Sequence, residues 1–471
     1  MTWALTPDLC VIGAGAAGLS VAAGAAQMGA EVVLIERGLM GGDCLNFGCV
    51  PSKSLLAAAR SAAVTRRGAA LGLGSAPPRI DFAAVIDSVH KVIAALAPND
   101  SVERFERLGV QVLRTEARFT SPRTLLAGGI EIRPRRFVIA TGSRPAIPTT
   151  PGLDRVPYLT NETIFTNRVL PEHLIVIGGG PIGIEMAQAH RRLGAKVTAL
   201  DIGPLLPRDD PELVDLLMRH LASEGVAARP AVAIAGIESD GNTITVHLAD
   251  GQRLSGSHVL VAAGRRPNVE ALDLPAAGIE AIASGIKVDG RLRTTNRRAF
   301  AIGDVAGGPQ FTHIASYHAG IVIRNVLFRL PARVDYRALP WVTYTDPELA
   351  QVGPTEASAR AGGEEVRVLR WSFAENDRAQ TERDTEGLVK VVLRRNGRVL
   401  GASILGAGAG DLILPWALAI SQKLKIGTLA NLIVPYPTRG EVSKRAAACY
   451  YTPTLFSRRT RSVVRLLARF G

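Results

Sequence analysis

The sequence predicts an α/β fold: two copies of one Rossmann-like unit, followed by a C-terminal α+β domain. Three observations carry this. A strand–glycine turn–helix–strand pattern occurs twice with the same internal spacing. Beyond Leu339 the texture changes to strand-like runs alternating with helical ones. The composition, 47% hydrophobic but only 5% aromatic over 471 residues, supplies large aliphatic cores and excludes a mainly disordered chain. At roughly 150 residues per domain, that length suggests about three domains.

The first copy opens with the apolar strand Asp8–Ile12. Gly13-Ala14-Gly15-Ala16-Ala17-Gly18 follows, then a helical run to Met28 and the strand Glu31–Ile35, ending at Glu36. The second copy runs through the strand His173–Ile177, Gly178-Gly179-Gly180-Pro181-Ile182-Gly183, a helix to Leu193 and the strand Lys196–Leu200, ending at Asp201. In both, the acid stands 18 residues after the third glycine. The first glycine of such a turn makes the tight bend, the second lets the backbone approach a pyrophosphate, and the third lets helix pack on strand. The helix N-terminus offers free N–H groups to phosphate, and the acid accepts hydrogen bonds from a ribose. One copy alone could be an ordinary βα turn. Two copies with matched acids predict two dinucleotide sites: Gly13, Gly15, Gly18 and Glu36 in one, Gly178, Gly180, Gly183 and Asp201 in the other. A carboxylate at Asp201 repels a 2′-phosphate, and no arginine occupies positions 202–206, so NAD(H) is expected in preference to NADPH.

Short strands ending in Ala140-Thr141-Gly142 and Ala262-Ala263-Gly264, and Gly303-Asp304 after the strand Ala299–Ile302, accompany these units. Thr141, Gly142, Gly264, Gly303 and Asp304 join the expected cofactor-binding residues. The expected division is 1–155 with 271–338 as one nucleotide domain, 156–270 as the other, and 339–471 as an interface domain. In the last, strand-like Gly387–Leu393 and Val399–Ile404 alternate with helical Leu412–Leu424 and Glu441–Tyr450.

The most informative segment is Gly41-Gly42-Asp43-Cys44-Leu45-Asn46-Phe47-Gly48-Cys49-Val50-Pro51-Ser52-Lys53. In a regular helix, residues five apart sit about 8–9 Å from each other, whereas a disulfide wants Cα atoms within about 7 Å. A Cys44–Cys49 pair therefore needs a distorted helix start. Gly41, Gly42 and Gly48 permit it, and Pro51 suits a first turn. A helix N-terminus also favours a reactive thiolate. A redox pair is the leading reading; two free buried thiols and a zinc site are the alternatives. Zinc would need two more ligands, and Cys10 and Cys449 lack companions at finger-like spacing. Four cysteines in so long a chain exclude a disulfide-stapled scaffold.

With these motifs the chain resembles the pyridine nucleotide–disulfide oxidoreductases, the class that includes dihydrolipoamide dehydrogenase, glutathione reductase and mercuric reductase. The resemblance covers nearly the whole chain, in family order. Residues 13–18 match the FAD motif, 41–53 the redox-disulfide motif, 178–185 the NAD(P)H motif, Gly303-Asp304 the second FAD motif, and 339–450 the dimerisation domain. It implies FAD and NAD(H) as cofactors and a homodimer. Glu36 would hold the adenosine ribose, Gly42 would lie among the FAD-binding residues, and Asp304 would face the ribityl or pyrophosphate region. Electrons would pass from NADH through the flavin to Cys49, with Cys44 as the interchange thiol. Lys53 would stand near the reactive flavin nitrogen, paired with Glu185.

One departure matters. Disulfide-reducing members carry a His-Pro-Thr segment followed by Glu, donated by the partner subunit to shuttle protons for the interchange thiol. This chain reads Tyr436-Pro437-Thr438-Arg439-Gly440-Glu441. A histidine near pKa 6.5 exchanges protons at neutral pH; a tyrosine near 10 mainly donates a hydrogen bond. His313 and His318 are the substitutes nearest in pattern, though ordinary structural contacts are the blander expectation for both. Tyrosine here is similar to mercuric reductase, but no vicinal cysteine pair follows Cys449. The expected function is therefore a dihydrolipoamide dehydrogenase-like oxidoreductase acting on a thiol or disulfide. The alternative is a mercuric reductase-like enzyme acting on a thiophilic metal ion or other electrophile. A flavin-fold binding subunit without turnover is a third, less favoured reading.

Charge adds little to function. Lys and Arg number 55 against 42 Asp and Glu, a net +13, and only eight of the 55 are lysines. Five arginines lie in the tail: Arg458, Arg459, Arg461, Arg465 and Arg469. Val463, Leu466, Leu467 and Phe470 fall among them at helical spacing, so the tail reads as a short basic amphipathic helix. Packing on its own domain is the expectation, with weak contact to anionic membrane, or docking to an acidic partner, the alternative. No motif for nucleic acid accompanies the charge. The uncharged run Leu9–Ala30 belongs to the first glycine turn and follows no basic residue, so a cytoplasmic protein is expected.

Overall fold

The computed structural model describes residues 4–74 and 78–470. Residues 1–3 and 75–77 of the expected first nucleotide domain, and residue 471 of the tail, lie outside the described residues. The chain divides into two compact units. One comprises Met1–Gly179, Ala189–Ile202 and Ala231–Val334; the other comprises Gly180–Gln188, Gly203–Pro230 and Asp335–Gly471.

The first unit is built on a five-stranded parallel sheet. Ala299–Ala301, Arg136–Ile139, Leu9–Ile12, Val32–Ile35 and Val110–Leu113 lie side by side in that order. Strands buried on both faces read as continuous apolar runs, and every residue of Leu9–Ile12 and Val32–Ile35 is buried. The helices Ala16–Gln27 and Thr312–Val326 cover one face, where Val11, Ala22, Ala319 and Val322 share a core. The other face packs Cys10, Ile12 and Phe137 against Phe119 and Leu125 of a small sheet, with the Phe119 and Phe137 rings edge-on at 5.0 Å.

The same unit holds the three parallel strands Lys196–Leu200, His173–Ile177 and His258–Val261. An antiparallel sheet of Ile234–Ser239, Ile244–Leu248 and Arg253–Gly256 shares their core through Ile237 and Val246. Ser143–Pro145 pairs antiparallel with Arg265–Pro267, which ties the residues after Gly142 to those after Gly264.

The second unit carries a five-stranded antiparallel sheet in the order Pro340–Thr343, Glu348–Val352, Val399–Gly406, Leu388–Arg394 and Val366–Ser372. Its core gathers Phe373, Val391 and Ile404 with Trp416, Val442 and Ala446 of the helices Leu414–Ser421 and Glu441–Ala448. The expected helix 412–424 is two pieces, Ala409–Leu412 and Leu414–Ser421. Pro415 has no N–H with which to continue the first. The tail forms the helix Arg458–Leu467, but none of its residues is buried. The expectation that it packs on its own domain is therefore corrected: among the described residues of this chain its apolar positions find no cover. No helix among the described residues is long and apolar enough to cross a membrane.

Candidate active site

The cysteine segment is broken where its glycines permit. A short helix Gly42–Asn46 stops at Phe47, and a new helix, Cys49–Arg67, begins after Gly48. Asn161 pins the break: its Nδ2 donates to Asp43 Oδ1 at 2.9 Å and to the Phe47 carbonyl at 3.3 Å. The Arg265 guanidinium stands 3.2 Å from the same Asp43 oxygen.

Cys44 and Cys49 are free thiols that share a hydrogen bond, and Cys49 Sγ lies 3.3 Å from Thr312 Oγ1. The Cys49 thiol pKa is lowered to about 6. The hydrogen bond from Cys44 is the largest cause; Thr312 and the Lys53 charge add to it, and burial opposes it. Cys44 moves the other way, because its proton serves the Cys49 sulfur and burial disfavours a second thiolate. Cys49 is the first residue of its helix, where the positive end of the dipole also favours a thiolate. Lys53 lies one turn further along the same helix, half-buried. Cys10 is a core residue whose thiol burial pushes up.

The first glycine turn sits against this segment. Gly13 has φ +104°, and a Cβ there would stand 2.4 Å from the Ala140 carbonyl oxygen. The Glu36 carboxylate accepts the Ala14 N–H at 2.6 Å and the Gly38 N–H at 2.7 Å. The Gly41 N–H donates to the Ala14 carbonyl at 2.9 Å, and Gly15 bridges Gly41. A Cβ on Gly42, at φ +58°, would meet the Gly15 Cα at 2.7 Å. Gly18 lies in the first turn of the helix Ala16–Gln27.

The second turn repeats the geometry. Gly178 has φ +121°, with the Ala262 carbonyl oxygen 2.3 Å from a built Cβ. The Gly179 N–H donates to Asp201 Oδ2 at 2.6 Å, across the same 22 residues that separate Ala14 from Glu36. A Cβ on Gly180 meets nothing within 4 Å, and one on Gly15 meets only the Gly42 Cα at 3.8 Å. Both second glycines therefore leave open the space that a pyrophosphate needs, so the residues present fit two dinucleotides. Gly183 is buried in the first turn of the helix Pro181–Leu193.

Other expected cofactor residues are fixed by the surrounding loops. Thr141 Oγ1 donates to the Asn268 carbonyl at 2.7 Å, and the Asn268 N–H donates to the Gly142 carbonyl at 3.0 Å. Built Cβ atoms on Gly142 and Gly264 meet nothing within 4 Å. Asp304 accepts from Ser143 Oγ at 2.5 Å, and Arg265 Nε stands 3.6 Å away. Burial raises the Asp304 pKa despite those partners. The Gly303 N–H donates to His318 Nδ1 at 3.1 Å. Burial lowers the His318 pKa to about 4. His318 thus makes a structural contact with the backbone of Gly303. His313 is exposed and stacks on Phe311 at 5.2 Å.

In the second unit, Tyr436 is 69% exposed, and its hydroxyl donates to Asp377 Oδ2 at 2.8 Å. That hydrogen bond and the carboxylate charge raise the phenol pKa. Glu441 is the first residue of its helix, with Arg445 Nη2 3.8 Å from its Oε1. Glu185 is buried and accepts the Tyr344 N–H at 2.9 Å. Sequence reasoning missed Asn161, Arg265, Thr312 and Asp377. Only Arg265 carried a local signal, since it directly follows Gly264.

Comparison with known proteins agrees with this geometry. Residues 7–319 match the pyridine nucleotide-disulphide oxidoreductase family, and residues 339–447 match its dimerisation domain, which supports a homodimer. The chain is 37% identical to a mercuric reductase of Streptomyces lividans over 458 residues, covering 94% of this chain and 96% of that one. It is 35% identical, with the same coverage, to a dihydrolipoyl dehydrogenase of Geobacillus stearothermophilus. Among solved structures, LpdA of Mycobacterium tuberculosis superposes with a TM-score of 0.87 at 27% identity, covering 94% of this chain and 99% of that one. The Cu(II) complex of the HOCl-induced flavoprotein disulfide reductase RclA of Escherichia coli superposes at 0.85 and 29%, covering 93% and 98%. FAD and NAD(P)H are the cofactors of this family. The chain belongs to the class I pyridine nucleotide-disulphide oxidoreductases.

Proposed function

We propose that the protein is an NADH-linked flavoprotein reductase whose Cys44–Cys49 pair acts on a soft metal ion or another thiophilic electrophile. FAD, when bound, supplies two-electron transfer between nicotinamide and the cysteine pair. Glu36 and Asp304 hold it, with Gly13, Gly15, Gly18, Gly42, Thr141, Gly142 and Gly303 around it. Gly178, Gly180, Gly183, Gly264 and Asp201 hold the nicotinamide nucleotide, and the Asp201 carboxylate selects against a 2′-phosphate. Cys49 is the thiolate facing the flavin, and Cys44 is the thiol that meets the acceptor. Lys53 supplies the cation and Glu185 the carboxylate of the reaction centre.

The observation that carries the acceptor assignment is the Tyr436–Asp377 hydrogen bond. Disulfide interchange needs a group that takes and returns a proton at neutral pH. A phenol whose pKa is raised further by a carboxylate is held protonated. Coordination of a soft cation by two sulfurs displaces the Cys44 proton to solvent and needs no group to return it. A second reading, thiol–disulfide exchange with a dihydrolipoamide-like substrate, draws support from Glu441, which keeps the acidic half of the usual pair, and from the likeness to dihydrolipoyl dehydrogenase.

Turnover of NADH with Hg²⁺ presented as a thiol complex, against turnover with lipoamide, separates the two. The expected outcome is metal-dependent NADH oxidation, weak lipoamide turnover, and at least tenfold faster lipoamide turnover in Tyr436→His. Substantial lipoamide turnover in the wild type, abolished by Tyr436→Phe, would instead assign the disulfide reaction.

A further inference from the structure

The tail helix lies beyond the dimerisation-domain match, which ends at residue 447, and the chemistry above does not use it. Ser457 caps Arg458–Leu467, its Oγ accepting the Thr460 N–H at 3.2 Å. Arg458, Arg461 and Arg465 fall at i, i+3 and i+7 and share one face; Val463, Leu466 and Leu467 share another. Phe470 extends the apolar face, and Arg469 the basic one. No acidic residue follows Glu441, so nothing within the tail balances its five arginines.

Val463, Leu466, Leu467 and Phe470 are 53, 53, 61 and 80% exposed, and Leu455 and Phe456, just before the helix, are 57 and 67% exposed. Contiguous apolar side chains so exposed mark a docking surface. The charge pattern selects its occupant. A nucleic acid would engage the arginines and leave the apolar face in water. A second copy of this helix would set five arginines against five. An anionic bilayer satisfies both faces at once, with headgroup phosphates against the arginines and the acyl boundary under the apolar side chains. At ten residues, about 15 Å long, the helix lies in the interface and does not span.

We propose that residues 455–470 form an in-plane anchor that docks this enzyme reversibly on anionic lipid membrane. The test is co-sedimentation of full-length holoenzyme with phosphatidylcholine vesicles, with and without phosphatidylglycerol. Binding at least tenfold tighter to the anionic vesicles, and weakened by salt, is expected. Arg458→Gln/Arg461→Gln/Arg465→Gln should weaken it roughly a hundredfold, about fivefold per arginine. Leu466→Ser/Leu467→Ser/Phe470→Ser should abolish it. NADH bleaching of the flavin should be unchanged in both variants, which shows that they fold. Anionic-vesicle binding that survives deletion of residues 457–471 would overturn the proposal. So would absence of binding, including the case where the deletion instead alters oligomeric state and so assigns the face to a second copy.

Discussion

The two glycine turns share one backbone design but differ in what stands over it. In both, the first glycine has positive φ and lies against an alanine carbonyl, and the terminal acid grips an N–H of its own turn. The turn at 13–18 is then overlaid by the redox segment. Gly41 donates to Ala14, Gly42 leaves no room for a Cβ against Gly15, and Glu36 takes a second N–H from Gly38. At the second turn, Gly180 has empty space where Gly15 has Gly42. The difference teaches that one backbone motif can serve as a packed floor under a second segment or stand open. The turn at 13–18 doubles as the floor under the cysteines, whereas the turn at 178–183 leaves its second glycine clear.

Matched substitutions at the first glycines should break that comparison most severely. Gly13→Ala drives a Cβ into the Ala140 carbonyl at positive φ, with an expected cost of about 3 kcal/mol or more and loss of bound flavin. Gly178→Ala, equally strained against Ala262, should keep its flavin but lose bleaching by NADH. Flavin content and anaerobic bleaching check both; loss of flavin from Gly178→Ala would erase the distinction between the sites.

The space around the second glycines sharpens it. Gly42→Ala should cost about 2 kcal/mol in denaturant unfolding, because the floor and the redox segment must part. Gly180→Ala should change stability by under about 0.5 kcal/mol, yet raise the KM for NADH about tenfold by intruding on the pyrophosphate path.

A smaller effect reads the segment above the floor. In Cys44→Ser, where a hydroxyl can keep the hydrogen bond, alkylation of Cys49 should be half-maximal near its lowered pKa of about 6. Lys53→Met and Thr312→Val should each move that midpoint upward, since both groups lower it. The sign for stability follows from the same shift. The thiolate's contribution is fully present above the ordinary 9.0 and is lost as the pH falls through about 6.

What the sequence made legible was local. A glycine turn and its acid lie within one strand–helix–strand unit, so spacing alone locates them. The cysteine motif likewise carries its own glycine break. The groups that fix that break arrive from far along the chain: Asn161 lies 118 residues from Asp43, and Thr312 lies 263 residues from Cys49. No periodicity encodes such distances. Asp377, 59 residues before Tyr436, is equally silent in sequence, yet it sets the character of the phenol. The tail shows the converse. Its helical period was readable, but whether the apolar face finds cover depends on tertiary packing, and among the described residues of this chain it finds none.

The central claim is that Cys44 and Cys49 form a two-electron centre in series with the flavin. Anaerobic NADH titration of the holoenzyme tests it most directly. The account predicts that the wild type, oxidised beforehand, takes up about twice as much NADH per flavin as Cys49→Ser, because the cysteine couple holds a second electron pair. The extra uptake should be matched by new thiols in a thiol count. Equal uptake by the two proteins, with no new thiols in the wild type, would contradict it.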